Sequence, residues 1–227
     1  MLGTAVTGSG KSLAYLIPMA LHVVENSATA GDAPSSRGLV LVPTRELALQ
    51  VVRVAKSMCK AIDSKILKPL AVIGGNQGRY QLIQDMKKIQ PTIVAATPGR
   101  LLDVAGKSNK RDAAVFDFSQ VTMVVLDKAN KMPHMGFAAQ VTEILQQLRP
   151  DRQTIMLSAT MTRKLENLAN QKWFSSSFAS SVRISVGRIG ASTENVEQHV
   201  VVLPNDQAKI QFVTELLPDL IQVGRVL

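Results

Sequence analysis

The chain alternates two kinds of hydrophobic pattern. Short runs that are apolar and rich in β-branched residues recur at 39–42, 70–73, 92–96, 122–126, 154–157 and 182–186. Between them lie longer stretches with apolar positions at helical spacing. These predict helices over 11–25, 44–61, 79–88, 137–148 and 162–172, the first kinked or stopped early by Pro18. Strand and helix in alternation predict an α/β fold with a mostly parallel sheet flanked by helices. Several runs are apolar at nearly every position, as in strands covered on both faces, so a ligand site is expected at their carboxyl ends.

Segment 27–37 is rich in Ala, Ser, Gly and Pro, and segment 106–112 is polar and charged; both read as exposed loops. The small, polar stretch from Gly187 reads as a linker, after which a strand at 199–203 and a helix at 206–217 are expected. The predicted organisation is one domain at 1–186, a linker at 187–197 and the start of a truncated second domain at 198–227.

Ala5-Val6-Thr7-Gly8-Ser9-Gly10-Lys11-Ser12 matches a phosphate-binding loop in all but its first glycine, whose place Ala5 takes. Gly8 and Gly10 let backbone N–H groups curl around phosphate oxygens, Lys11 adds a point charge, and Ser12 offers a hydroxyl to a magnesium ion. Such a loop normally follows a strand. Only Met1 to Thr4 precede this one, so the first strand is expected to be missing or very short, and the domain to lack it. Loops of this type work with an acidic residue at the end of another strand, which orients magnesium and polarises the attacking water. Asp127 closes Val124-Val125-Leu126-Asp127 and suits that place; a simple cap on the following turn is the alternative.

Charge and composition narrow the partner. Twenty-six Lys and Arg against seventeen Asp and Glu leave +9, spread along the chain, which suits a polyanion such as nucleic acid; a solvated basic surface is the other reading. Aromatic residues make up 4%, too few to interleave with stacked bases. Cys59 is the only cysteine, so no intrachain disulfide forms and a reducing, intracellular setting is the economical assumption. The apolar stretch at 13–24 is too short to cross a bilayer, and His22, His134 and His199 lack the spacing of a zinc site.

Taken in order, these and further pieces resemble the DEAD-box ATP-dependent RNA helicases over almost the whole chain. Ala5 to Ser12 is similar to motif I of that family, Pro43-Thr44-Arg45-Glu46-Leu47-Ala48 to motif Ia, Gly74-Gly75 to its glycine pair and Thr97-Pro98-Gly99-Arg100 to motif Ib. Asp127 to Asn130 stands where motif II belongs, Met135-Gly136-Phe137 resembles the segment behind it, and Ser158-Ala159-Thr160 resembles motif III.

The resemblance implies a RecA-like P-loop NTPase domain that uses ATP and magnesium. Ala5, Val6, Thr7, Gly8, Ser9, Gly10, Lys11 and Ser12 would hold ATP. Ser12 and Asp127 would hold magnesium, partly through water, and Lys11, Asp127 and position 128 would be catalytic. Single-stranded or locally duplexed RNA would lie on Pro43, Thr44, Arg45, Gly74, Gly75, Thr97, Pro98, Gly99 and Arg100 without sequence preference, since hydroxyls, glycine backbone and guanidinium groups read phosphate and not bases. Protein partners, no membrane, and a place in nucleus or cytoplasm go with that family.

The departures are chemical. The family's motif II reads Asp-Glu-Ala-Asp, and this chain reads Asp127-Lys128-Ala129-Asn130. The family glutamate accepts a proton from the attacking water, whereas a lysine ammonium only donates, which removes a general base worth ~10²–10⁴ in rate. Asn130 replaces the acid that links motif II to Ser158, Ala159 and Thr160, so coupling between nucleotide and RNA is expected to soften. Pro133-His134 is also atypical. The upstream adenine-recognising segment with its glutamine is absent, and the chain stops at Val226-Leu227 before a second domain supplies its arginines. Expected, then, is an ATP- and RNA-binding helicase core, weak or inactive in hydrolysis. The alternatives are a non-catalytic module that clamps RNA or protein, and the product of a pseudogene or incomplete gene model.

Overall fold

A computed structural model of the chain describes residues 1–5, 8–27, 37–61, 65–75, 78–105, 116–174, 182–187 and 199–223. The loop at 28–36, all of 106–112, Val6, Thr7 and the linker beyond Gly187 lie outside the described residues. Two compact units are present, Met1–Gly190 and Ala191–Leu227.

The first unit is built on seven strands, all parallel: β1 Leu2–Ala5, β2 Arg37–Leu41, β3 Pro69–Val72, β4 Ile93–Ala96, β5 Val121–Leu126, β6 Gln153–Ser158 and β7 Arg183–Val186, in the order β3-β4-β2-β5-β6-β1-β7. The helices are α1 Lys11–Ser27, α2 Arg45–Ala61, α3 Arg79–Ile89, α4 Pro98–Ala105, α5 Lys131–His134, α6 Ala138–Gln147 and α7 Arg163–Leu168, the last continued by a π-helical turn at Ala169–Trp173.

Strand residues alternate between two apolar layers. Val40, Val42, Ala95, Met123, Val125 and Ile155 pack against Tyr15, Leu16, Met19 and Val23 of α1 and Val51 and Val52 of α2. Leu39, Leu41, Val94, Val124, Leu126 and Met156 face the other way, into a layer with Leu82 of α3, Leu101 of α4 and Ile144 of α6. Burial on both faces is why the central strands read as nearly unbroken apolar runs, and the parallel direction brings every strand's carboxyl end to one edge.

Three expectations are corrected. The strand before the glycine-rich loop, expected to be missing or very short, is very short, and the domain does not lack it: Leu2, Gly3 and Thr4 pair in parallel with Met156, Leu157 and Ser158, and on the other side with Arg183, Ile184 and Ser185. Four residues suffice because both flanks are hydrogen-bonded, and the Met1 ammonium adds a bond to the Thr154 carbonyl at 2.8 Å. Pro18 does not end α1, which runs on to Ser27. Pro18 lies on the exposed face, while Tyr15, Leu16, Met19 and Ala20 are buried, and their packing outweighs one missing backbone bond. The strand expected at 199–203 does not form: Val200 and Val202 are 86% and 90% exposed, with no paired strand among the described residues.

The second unit, taken by itself, contributes helix α8, Asp206–Val223, with the Asn205 side chain accepting from the Ala208 N–H at 2.8 Å. Among the described residues no helix is long and apolar enough to cross a membrane.

Candidate nucleotide and RNA site

The strand order sorts the predicted residues into two neighbouring groups. Pro43, Thr44 and Arg45 follow β2, Gly74 and Gly75 follow β3, and Thr97 to Arg100 follow β4, three adjacent strands. The loop ending in Lys11 follows β1, Asp127 to Asn130 follow β5, and Ser158 to Thr160 end and follow β6, the next three strands across. The seam between the groups is the β2–β5 pair, where the Asp127 N–H donates to the Leu41 carbonyl at 3.0 Å.

In the first group the three loops enclose an open concavity of about 640 Å³ lined by Pro43, Thr44, Arg45, Glu46, Gly74, Thr97, Gly99, Arg100, Asp103, Met135 and Phe137. Gly75 has φ +134°, which disfavours any side chain, and a Cβ there would stand 3.3 Å from the Arg45 guanidinium. The glycine pair thus leaves room for the Arg45 guanidinium beside the backbone. The Thr44 hydroxyl accepts from the Leu47 N–H at 3.4 Å, starting α2. Asp103 takes Arg100 at 2.6 Å and Arg79 at 3.2 Å, holding two guanidinium groups at the rim. Sequence reasoning named Glu46 within Pro43–Ala48 but gave it no role, and missed Asp103 and Arg79; Asp103 stands one helical turn after Arg100, a spacing that could have flagged it.

In the second group Gly8 and Gly10 adopt φ +84° and +81°, conformations that bend the chain into α1. Lys11 donates to the Ala5 carbonyl at 2.8 Å across the loop. Burial lowers the Lys11 pKa, Asp127 opposes that shift, and Lys128 adds to it, so all three groups share one electrostatic neighbourhood. Asp127 is 7% exposed, and burial raises its pKa against the pull of Tyr15, Lys128 and Lys11. Tyr15, unnoticed in the sequence, donates to Asp127 Oδ2 at 3.1 Å and also meets the Ser12 hydroxyl. Its place on the buried face of α1, one turn after Lys11, is the signal that was available.

Lys128 has φ +53°, in the left-handed region, in a turn closed by the Lys131 N–H on the Lys128 carbonyl at 2.9 Å. The Ala129 N–H reaches the Leu157 carbonyl at 3.0 Å, which pins the turn to β6. The Asn130 amide donates to the Thr160 hydroxyl at 3.2 Å, and the Ser158 hydroxyl turns to the Thr160 carbonyl at 2.5 Å. Positions 130 and 160 are therefore in contact, but through a neutral bond.

Magnesium at such a loop is held by one or two carboxylates together with the phosphates. Ser12 and Asp127 offer a hydroxyl and one carboxylate, but Tyr15 draws on Asp127 Oδ2, and the neighbouring side chain is an ammonium that repels a second cation. This donor set does not fit a firmly held divalent ion.

Residues 1–168 match the family model described as DEAD/DEAH box helicase. The chain belongs to this family. It is 36% identical over 227 residues to DEAD-box ATP-dependent RNA helicase 24 of Arabidopsis thaliana, covering all of this chain and 28% of that protein. Among solved structures it resembles a hypothetical ATP-dependent RNA helicase from Sulfolobus tokodaii, at 30% identity and TM-score 0.62 over 82% of this chain and 47% of that one. It also resembles Mss116p bound to ssRNA and AMP-PNP, at 26% identity and TM-score 0.65 over 81% and 35%. The RecA-like helicase fold is thereby confirmed. The chain spans 21% to 28% of the length of the curated DEAD-box relatives first matched.

Proposed function

We propose that this chain is the ATP- and RNA-binding core domain of a DEAD-box ATP-dependent RNA helicase in which hydrolysis is impaired. The observation that carries the reading is the partition of one sheet edge into two groups of loops: a phosphate-type loop facing a buried carboxylate, and beside it a groove of hydroxyls, glycine backbone and guanidinium groups. ATP is held by Ala5 to Ser12, with Lys11 on the phosphates. Single-stranded or locally duplexed RNA lies on Pro43 to Arg45, Gly74, Gly75 and Thr97 to Arg100 through its backbone, hence without sequence preference. Asn130, Ser158, Ala159 and Thr160 couple the two, and protein partners in an intracellular setting complete the reading.

Impairment follows from Lys128, which accepts no proton from an attacking water. The same residue favours a second reading, a member that grips RNA in response to nucleotide without turnover.

The test is equilibrium titration of the chain with a fluorescent ATP analogue and with a labelled uridine homopolymer. Both are expected to bind. Lys11→Ala is expected to weaken nucleotide binding roughly tenfold or more, the loss of one charge-assisted contact, with an unchanged melting curve. Folded protein with no affinity for either ligand overturns the reading.

A further inference from the structure

Lys128 stands in a turn held to the strands on either side of it. The turn that carries it is fixed on both sides, by Asp127 on Leu41 and by Ala129 on Leu157, and Lys128 itself is held at φ +53°, unusual for a residue with a side chain. It shares an electrostatic neighbourhood with Lys11 and Asp127, and among the described residues it forms no ion pair. The three side chains are two ammonium groups and one carboxylate, a net positive charge beside the glycine-rich loop.

We propose that Lys128 supplies the positive charge at the terminal phosphate that a divalent cation supplies elsewhere in the family, so that the glycine-rich loop binds nucleoside triphosphate without magnesium. The inference rests on the reading of that loop as an ATP site. An ammonium is a compact point charge with three donors and a recognised phosphate ligand. Together with Lys11 and the loop N–H groups it neutralises the phosphate tail, and it repels a second cation from the same spot. What it does not supply is the octahedral orientation of the phosphates and waters, which agrees with retention of binding and loss of turnover.

The experiment is titration of the 227-residue chain with a fluorescent ATP analogue, once in excess magnesium and once in EDTA. The native chain is expected to show affinities within about threefold of each other. Lys128→Glu is expected to bind about tenfold or more weakly in EDTA than in magnesium. Lys128→Asn tolerates the left-handed backbone and removes only the charge, so it guards against a folding defect; it is expected to bind more weakly than the native chain in EDTA. Native affinity that collapses about tenfold in EDTA, or Lys128→Asn that matches the native chain there, overturns the inference alone. Absence of binding in both conditions overturns the ATP reading with it.

Discussion

At the end of β5 the Asp127 carboxyl lies beneath the Tyr15 hydroxyl, and burial lifts its pKa above the ordinary carboxylate range. The folded chain therefore holds this proton more tightly than the unfolded chain. Stability from Asp127 is complete below the ordinary value of about 4 and is lost as pH rises through the raised folded value. Asp127→Asn is expected to raise the melting temperature at neutral pH and to flatten its decline above about pH 4, read by thermal melts of both proteins across that range. Equal pH slopes would contradict it. Removing the Tyr15 hydroxyl acts in the other direction. Tyr15→Phe is expected to cost about 1.5–3 kcal/mol in a urea titration near neutral pH, because a buried carboxylate loses a donor. Of these residues Asp127 was legible in the sequence, since it ends an apolar run. Tyr15 was not, because a tyrosine on a buried helix face reads as core until its hydroxyl is seen to reach Asp127 Oδ2.

Among the elements, the central strands are legible almost to the residue because two-sided burial leaves few polar positions to blur them, as Ile93–Ala96 illustrates. The errors have local causes. Helix α1 passes through Pro18 because propensity is outweighed by four buried neighbours. The apolar run at 199–203 has the pattern of a strand, but a strand needs a hydrogen-bonded neighbour, which the sequence does not display. Helix α1 also approaches β2 closely: a Cβ on Gly38 would lie 2.4 Å from the Met19 sulfur and 2.5 Å from its Cγ. Gly38→Val is expected to push α1 off the sheet at a cost of about 1–3 kcal/mol, and so to lower the melting temperature by ~2–4 °C per kcal/mol. Since α1 carries Lys11, nucleotide affinity is expected to fall with it, by the same fluorescent titration.

For the whole molecule, the +9 charge and the strand order act together. The groove after β2, β3 and β4 and the glycine-rich loop after β1 lie on one sheet edge, their two groups of loops meeting at the β2–β5 seam, where the Asp127 N–H donates to the Leu41 carbonyl. Motif order in the sequence was enough to anticipate both groups, but not the groove's acidic members: Asp103 lies outside the recognised motifs, and Glu46 lies within Pro43–Ala48 without a role of its own there. RNA binding is expected to be salt-dependent and equal among unstructured sequences, and Arg45→Ala to lower the slope of log affinity against log salt by about 0.7 in all of them alike. The central claim is that Lys128 and Asn130 leave a site that binds without turning over. Its most direct test is RNA-stimulated ATP turnover of the chain joined to a second core domain, with and without Lys128→Glu and Asn130→Asp together. The account predicts that the double substitution raises turnover ~10²–10⁴-fold; equal rates in the two proteins would contradict it.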